Sequence, residues 1–127
     1  MRWGILATGS IANKFALTVC SMDSREASLA AVGSRKMDSA REFAKKYHIP
    51  AFYDSYEAMA ADPQVEAVYI STPNNMHYEN CKMCLNAGKH VLCEKAITLN
   101  SAELDEARAI AAEHNVVLMD ATTVLHM

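Results

Sequence analysis

The chain opens with the stretch Met1-Arg-Trp-Gly-Ile-Leu-Ala-Thr-Gly-Ser-Ile-Ala12, which decides the predicted fold. Residues 3–6 form an apolar run that predicts a buried strand, and the run breaks at Ala7-Thr8-Gly9. Ser10 then begins a predicted helix. The apolar residues of this helix recur every four positions, at Ile11, Phe15 and Val19. The stretch therefore predicts a strand, a tight turn and a helix.

A strand followed by a glycine turn and a helix is typical of a dinucleotide-binding unit. Unpaired N–H groups and the positive end of the dipole at such a helix start attract a pyrophosphate. Gly9 lets the phosphates approach closely, and Ala12 lets the helix pack against the strand. Ala7 departs from the fingerprint G-x-G-x-x-G/A, which has glycine at that position. An ordinary βα turn with one glycine is the alternative interpretation.

The composition is that of a globular domain. The 127 residues suffice for one core, and 51% are hydrophobic while 21% are charged. A net charge of −3 without a basic cluster argues against nucleic acid as a partner, and no apolar run approaches the ~20 residues of a membrane span. Four cysteines fall inside predicted elements, so we interpret them as reduced thiols and expect a cytoplasmic protein. They are Cys20, Cys81, Cys84 and Cys93.

Predicted strands and helices alternate along the rest of the chain. Apolar runs predict strands at 27–32, 52–53, 65–71, 90–93 and 116–119. Ser39 with Glu42 predicts a capping box at the start of the second helix, and Ser55 predicts the cap of a short third helix over 56–61. A fourth helix is predicted over 76–87 with Gly88 just after its end, and a fifth begins at Asn100.

This alternation predicts an α/β fold, a Rossmann-like doubly wound parallel sheet with helices on both faces. The expected strand order is 3-2-1-4-5-6, and the order reverses between strands one and four. Ligands of such sheets bind at the carboxyl ends of the strands beside that reversal. Polar segments follow the strands there, at 8–10, 34–36, 72–75 and 94–95.

The end of the second strand predicts the choice between NADP and NAD. An NAD site has a carboxylate there that holds the ribose hydroxyls, whereas an NADP site has hydroxyl and basic groups that hold a phosphate. This chain reads Ser34-Arg35-Lys36. These residues favour NADP, with NAD less favoured, although a solvated basic turn is the alternative.

Four motifs together resemble the amino-terminal domain of the glucose–fructose oxidoreductase and inositol dehydrogenase-like (Gfo/Idh/MocA) family. They are the segment 3–12, Ala31-Val-Gly-Ser-Arg35, Val68-Tyr-Ile-Ser-Thr-Pro-Asn74 with His77, and Gly88-Lys-His-Val-Leu-Cys-Glu-Lys95. The resemblance spans the chain and is strongest to the NADP-dependent branch of dihydrodiol and D-xylose dehydrogenases. It implies an oxidoreductase that transfers hydride between NADP(H) and a sugar, polyol or cyclic diol.

The resemblance also implies cofactor-binding residues. The implied residues along the pyrophosphate are Thr8, Ser10 and Ile11, together with the turn residues Ala7 and Gly9. Those at the 2′-phosphate and adenine are Ser34 and Arg35, with the basic Lys36 beside them. Those on the nicotinamide side are Ser71, Thr72, Pro73, Asn74, His77, Glu94 and Lys95. Lys95 is the implied catalytic residue, because its ammonium would polarise the reacting oxygen.

Two departures from the family pattern bear on function. Ala96 stands where the family motif has proline after Lys95, and the family continues into a carboxyl-terminal domain with most substrate contacts. We therefore expect a dinucleotide-binding domain over 1–120 and the start of a connection over 121–127. We expect this chain alone to bind nucleotide but to turn over substrate poorly or not at all. We expect the full-length parent to be a homo-oligomer.

The sequence also allows other interpretations. His77, Cys81 and Cys84 share one helical face, so they form either a metal or redox cluster or, as we favour, a face packed on the sheet. We expect no metal. Two alternatives to the oxidoreductase interpretation also remain. The chain could be a non-catalytic NAD(P)-sensing module, or a doubly wound domain for a flavin or S-adenosylmethionine.

Overall fold

The computed structural model describes residues 1–22, 27–71, 77–93 and 101–120, in which strands and helices alternate strictly. The strands are β1 (Arg2–Leu6), β2 (Ser28–Gly33), β3 (Ala51–Tyr53), β4 (Ala67–Ile70), β5 (His90–Cys93) and β6 (Leu118–Asp120). The helices are α1 (Ser10–Cys20), α2 (Met37–Tyr47), α3 (Tyr56–Ala60), α4 (His77–Asn86) and α5 (Ser101–Glu113). None of these helices is long and apolar enough to cross a membrane.

All six strands form one parallel sheet in the order β3-β2-β1-β4-β5-β6, as predicted. The register brings the carboxyl ends of four strands level with one another. Leu6 lies opposite both Gly33 and Ile70, and Ile70 lies opposite Cys93. The segments that follow these residues therefore begin at the same edge of the sheet.

Alternate residues of each strand enter two separate core layers, as a parallel sheet covered on both faces requires. One layer joins Ile5, Val32 and Tyr69 to the buried faces of α1 and α2. Phe15 of α1 stacks on Tyr69 with 4.0 Å between ring centroids. The other layer packs the opposite face of the sheet against α3, α4 and α5, with Met59 fully buried.

Three helices end in the same left-handed turn, which pairs carbonyl groups that the helix itself leaves free. A residue one or two positions after each helix has a positive φ, and the next N–H bonds back five residues. The turns lie at His48 (φ 57°), Gly88 (φ 78°) and Asn115 (φ 55°), and the returning bonds run from Ile49, Lys89 and Val116. The prediction that Gly88 ends α4 is confirmed, whereas the same turn at the other two sites is made without glycine.

The capping box predicted at Ser39 and Glu42 is wrong. The N–H of Ala40 already bonds the carbonyl oxygen of Lys36 at 3.2 Å, so α2 begins at Met37 and Lys36 is its N-cap. Ser39 is consequently the third helical residue and not the cap. The cap predicted at Ser55 is confirmed, because its hydroxyl accepts the N–H of Ala58 at 3.1 Å.

Two strands begin later than predicted because neighbouring turns take up the backbone groups. Val65 bonds the carbonyl of Asp62, and Val116 bonds that of Ala111, so β4 and β6 each begin two residues later than predicted. β2 extends to Gly33, which pairs with both Leu6 and Tyr53. The predicted cap at Asn100 lies outside the described residues.

Candidate functional site

The ends of β1, β2 and β4 are tied together by hydrogen bonds at the point where the strand order reverses. Ala7 donates its N–H to the carbonyl of Gly33 at 2.8 Å. Ser71 donates both its N–H, at 3.3 Å, and its hydroxyl, at 2.8 Å, to the carbonyl of Leu6. The fold thus places Ala7, Ser34 and Ser71, each predicted as a site residue, at one edge of the sheet.

The glycine turn leaves open space beside the amino end of α1. Gly9 is the exposed N-cap with a φ of −76°, a value open to any residue, and a Cβ added there would meet no atom within 4 Å. Neither backbone geometry nor packing therefore requires glycine at this position. α1 also has no side-chain cap and no acidic residue in its first turn. Its N–H groups and dipole are thus left for an anion.

Ala12 packs against the sheet, as predicted for the last small residue of the fingerprint. Its side chain is fully buried in the layer that contains Ile5 and Tyr69. A larger side chain would push α1 away from β1, so the small residue keeps the amino end of the helix close to the sheet edge. The side chains of Ser10 and Ile11 are outside the described part of the structure.

Sequence reasoning missed Asn13, which links the turn to α2. Its side-chain Nδ2 donates to the carbonyl of Gly9 at 2.9 Å and approaches that of Thr8 at 3.5 Å. Its Oδ1 accepts the Tyr47 hydroxyl at 2.5 Å and the Lys46 ammonium at 3.2 Å. A detectable signal was present, since asparagine is unfavourable inside a helix unless its side chain has a specific partner.

The segment after β2 carries a buried hydroxyl and two exposed cations. Ser34 is 8% exposed, and its Oγ accepts the N–H of Lys36 at 3.3 Å. Arg35 and Lys36 are exposed. The nearest following acid, Asp38, pairs with Arg41 at 3.7 Å on the surface of α2. The end of β2 therefore presents positive charge.

A cavity of about 260 Å³ lies between the glycine turn and α2. Thr8 lines it on the side of the turn, and α2 contributes the remaining lining. The α2 residues are Ser39, Glu42, Phe43 and Lys46. The cavity therefore lies beside the turn at Thr8 and against the helix that follows the segment with Arg35.

The nicotinamide side of the predicted site is described in part. Ser71 lies at the end of β4, and His77 is the first residue of α4, although the His77 side chain is outside the described part. Cys93 ends β5 beside Ile70. The remaining predicted residues lie outside the described ranges: Thr72, Pro73, Asn74, Glu94 and Lys95. Their roles stay predictions.

The helix face with Cys81 and Cys84 packs on the sheet. Both side chains are fully buried, and burial raises the pKa of the Cys84 thiol to about 12. A redox or metal-binding cysteine needs the opposite shift, because the thiolate is the reactive form. Across the described ranges, no three His, Cys, Asp or Glu side chains converge on a metal position.

A three-residue cluster joins the start of α4 to α5. The Tyr78 hydroxyl donates to the Glu106 carboxylate, and the Lys82 ammonium lies 3.3 Å from the same carboxylate. Lys82 also sits over the Tyr78 ring, 4.9 Å from its centroid. The hydrogen bond from Tyr78, followed by the bond and charge of Lys82, lowers the pKa of Glu106. The cluster therefore links α4 and α5 to each other at the surface.

Residues 1–122 match the Gfo/Idh/MocA family, which is described as "Oxidoreductase family, NAD-binding Rossmann fold". The chain belongs to this family. The trans-1,2-dihydrobenzene-1,2-diol dehydrogenase of Mus musculus is 46% identical over 121 residues, and that of Homo sapiens is 41% identical. These matches cover 95% of this chain and 36% of each relative, so the chain spans about a third of their length.

Solved structures of the family share the fold. KijD10, a 3-ketoreductase from Actinomadura kijaniata crystallised with NADP and TDP-benzene, superposes with a TM-score of 0.92 at 28% identity. That match covers the whole of this chain and 38% of KijD10. The biliverdin reductase of Synechocystis, crystallised with biliverdin and NADP+, gives a TM-score of 0.82 at 27% identity, over 94% of this chain and 37% of the reductase.

Proposed function

We propose that this chain binds NADP(H) at the carboxyl edge of its sheet, as the cofactor-binding part of an oxidoreductase. The open space at Gly9 carries the proposal. Nothing in the described part of the chain requires glycine there, whereas a phosphate held against the N–H groups of α1 does. A bulkier residue at this N-cap would occupy the volume that the phosphate needs.

The charge after β2 supports NADP over NAD. Arg35 and Lys36 are exposed cations beside the Ser34 hydroxyl, and these groups suit a 2′-phosphate. A carboxylate at this position would instead repel the phosphate. KijD10 and the biliverdin reductase, which share the fold, were crystallised with NADP or NADP+.

We propose a substrate with a hydroxyl or carbonyl carbon in a sugar, polyol or cyclic diol. The dihydrodiol dehydrogenases and the ketoreductase among the relatives support this class. The nicotinamide supplies the hydride when the cofactor is bound. The proposed role of Lys95 is to stabilise the negative charge that develops on the substrate oxygen, and Ala96 after it marks where this chain differs from the family motif.

The proposed cofactor contacts fall into three groups along the sheet edge. The pyrophosphate group is Ala7, Thr8, Gly9, Ser10 and Ile11. The 2′-phosphate group is Ser34, Arg35 and Lys36. The nicotinamide group is Ser71, Thr72, Pro73, Asn74, His77, Glu94 and Lys95. We also propose that the whole protein is a homo-oligomer of the cytoplasm, where the exposed thiol of Cys20 stays reduced.

Calorimetric titration of the 127-residue chain with NADPH and NADH tests the proposal. We expect NADPH to bind more tightly, and Arg35→Ala to weaken NADPH by about tenfold while NADH changes little. Arg41→Ala is the matched control, because it removes the same charge from the surface of α2, where Arg41 pairs with Asp38. Equal weakening by both variants would show a general charge effect.

The remaining outcomes separate the alternatives. Equal binding of both nucleotides with no effect of Arg35→Ala would exclude the NADP preference and keep the dinucleotide site. Binding of neither nucleotide would contradict the proposed function. A whole protein that binds NADPH yet exchanges no hydride with sugars, polyols or cyclic diols would be a sensing module.

A further inference from the structure

We propose that Asn13 is a positioning residue that orients the phosphate-binding turn. This inference rests on the proposed function, because it assumes that cofactor phosphates lie against the turn. The Asn13 Nδ2 donates to the carbonyl oxygen of Gly9 at 2.9 Å and lies 3.5 Å from that of Thr8. The Gly9 carbonyl also accepts the backbone N–H of Asn13 at 3.0 Å, so Asn13 bonds the turn through both its backbone and its side chain.

The chemistry of the neighbours fixes which way the Asn13 amide points. Its oxygen faces the Tyr47 hydroxyl at 2.5 Å and the Lys46 ammonium at 3.2 Å, and an ammonium can only donate. Its nitrogen faces two backbone carbonyls, which can only accept. A reversed amide would set donor against donor on one side and acceptor against acceptors on the other.

Tyr47 holds this amide from a rigid part of the fold. Its side chain is 8% exposed and packs in the core layer of α1 and α2, with its ring 4.8 Å from that of Phe43. A buried tyrosine hydroxyl needs a hydrogen-bond partner, and Asn13 provides it. The end of α2, which is distant in sequence, thus holds the amide that bonds the turn.

The orientation of the turn matters because a carbonyl oxygen that faced a phosphate would repel it. Oriented N–H groups stabilise an anion, whereas a turn free to rotate would lose part of that stabilisation to reorganisation. A purely structural role for Asn13 would stabilise the start of α1 without affecting a ligand that makes no contact with the turn. Two ligands distinguish these roles.

The test compares NADP+ with adenosine 2′-monophosphate, which has the 2′-phosphate but no pyrophosphate. Asn13→Asp keeps the shape of the side chain, removes its donor and adds a negative charge, so the uncharged Tyr47→Phe separates loss of positioning from repulsion of the phosphate. Tyr47→Phe keeps the donor and removes its anchor. Thr18→Val is the matched control, because it deletes a side-chain bond to the Lys14 carbonyl on the same helix, away from the turn.

We expect Asn13→Asp to weaken NADP+ about tenfold at about pH 8, relative to the wild type. Tyr47→Phe should weaken NADP+ by a smaller factor of about three. Binding of adenosine 2′-monophosphate, followed by ligand-observed NMR, should be unchanged in both variants, and Thr18→Val should change neither ligand.

Each other outcome has a defined meaning. If the wild type binds NADP+ and Asn13→Asp binds it equally well, the positioning role of Asn13 is overturned and the proposed function stands. Equal loss of both ligands shows that Asn13 only supports the fold. A wild type that binds neither NADP+ nor NADH overturns the proposed function and this inference with it. If Asn13→Asp fails to fold, Tyr47→Phe decides, and its full NADP+ affinity overturns the inference.

Discussion

Ala7 donates its backbone N–H to the carbonyl oxygen of Gly33 at 2.8 Å while its own φ is +79°. A left-handed conformation costs a residue with a Cβ about 1–2 kcal/mol. The bond to Gly33 holds the backbone in this conformation at the point where the chain leaves β1. Ala7 therefore carries backbone strain that a glycine at this position, as in the dinucleotide-binding fingerprint, would not carry.

Replacing Ala7 by glycine should stabilise the protein. Ala7→Gly removes the strain but adds freedom to the unfolded chain, so we expect a net gain of up to about 1 kcal/mol in the free energy of unfolding. Urea denaturation measures it. Ala109→Gly, at an exposed site in α5, is the matched control and should lose about 1 kcal/mol. Equal losses in both variants would show that Ala7 is unstrained.

Substitution of Gly9 should change folding and binding in opposite directions. Gly9→Asp meets no atom within 4 Å and places a carboxylate at the N-cap of α1, so the free energy of unfolding should rise by a few tenths to about 1 kcal/mol. The same carboxylate would occupy and repel the phosphate site, so NADPH binding should be lost. Denaturation and calorimetry on one preparation measure both.

Gly9→Asn is the companion variant, because asparagine caps a helix as well as aspartate does but carries no charge. It should keep the gain in stability and weaken NADPH less than Gly9→Asp. If Gly9→Asp bound NADPH as tightly as the wild type, the phosphate would lie elsewhere. If both variants unfolded easily, glycine would be needed at this position for the fold itself.

The cluster of Tyr78, Lys82 and Glu106 predicts a stability that falls at both ends of the pH range. The lowered pKa of Glu106 means that its contribution is present above the ordinary value, about 4.3, and is lost as pH falls through the folded value. The bond to Glu106 raises the pKa of Tyr78 and of Lys82. Their contributions are present below about 10 and lost as pH rises further.

Tyr78→Phe tests this dependence, because it removes the hydroxyl that binds Glu106. The difference in unfolding free energy between wild type and variant should be largest near neutral pH and should shrink at acid and alkaline pH. Tyr56→Phe, on α3, is the control for loss of a tyrosine hydroxyl. A difference that stays constant with pH would mean that the cluster contributes nothing through its charges.

Thiol reactivity should distinguish Cys20 from the other three cysteines. Cys20 is exposed, whereas Cys81, Cys84 and Cys93 are fully buried and Cys84 has a pKa raised to about 12. We expect one rapidly reacting thiol in the native chain with a disulfide reagent, and four in denaturant. Cys20→Ser should abolish the rapid phase. A rapid phase that persists in Cys20→Ser would place a reactive thiol on the α4 face or in β5.

The order of the sheet could be predicted because each apolar run is bounded by polar turns, and short crossovers leave few topologies open. Element ends were predicted less well. Ser39 has the residue type of a cap, yet the bond from Ala40 to Lys36 starts α2 earlier. Local pattern does not show which of several polar residues the backbone uses.

The candidate site likewise has a part that the sequence predicts and a part that it does not. Ala7, Ser34 and Ser71 meet because they follow strands whose ends the parallel register makes level, and strand order alone predicts that. The role of Asn13 depends on Tyr47, 34 positions away, whose hydroxyl reaches it only after both helices pack on the sheet. A contact of this kind requires the three-dimensional structure.

Trp3, the single tryptophan, lies in β1 with its ring edge against Phe15 of α1, 5.2 Å between centroids. Phe15 belongs to the helix whose first turn faces the candidate phosphate site. Tryptophan emits light in the band that reduced nicotinamide absorbs, so bound NADPH would quench Trp3, and undocking of α1 would shift its emission. The protein thus carries its own optical reporter, which follows cofactor binding and helix docking without an added label.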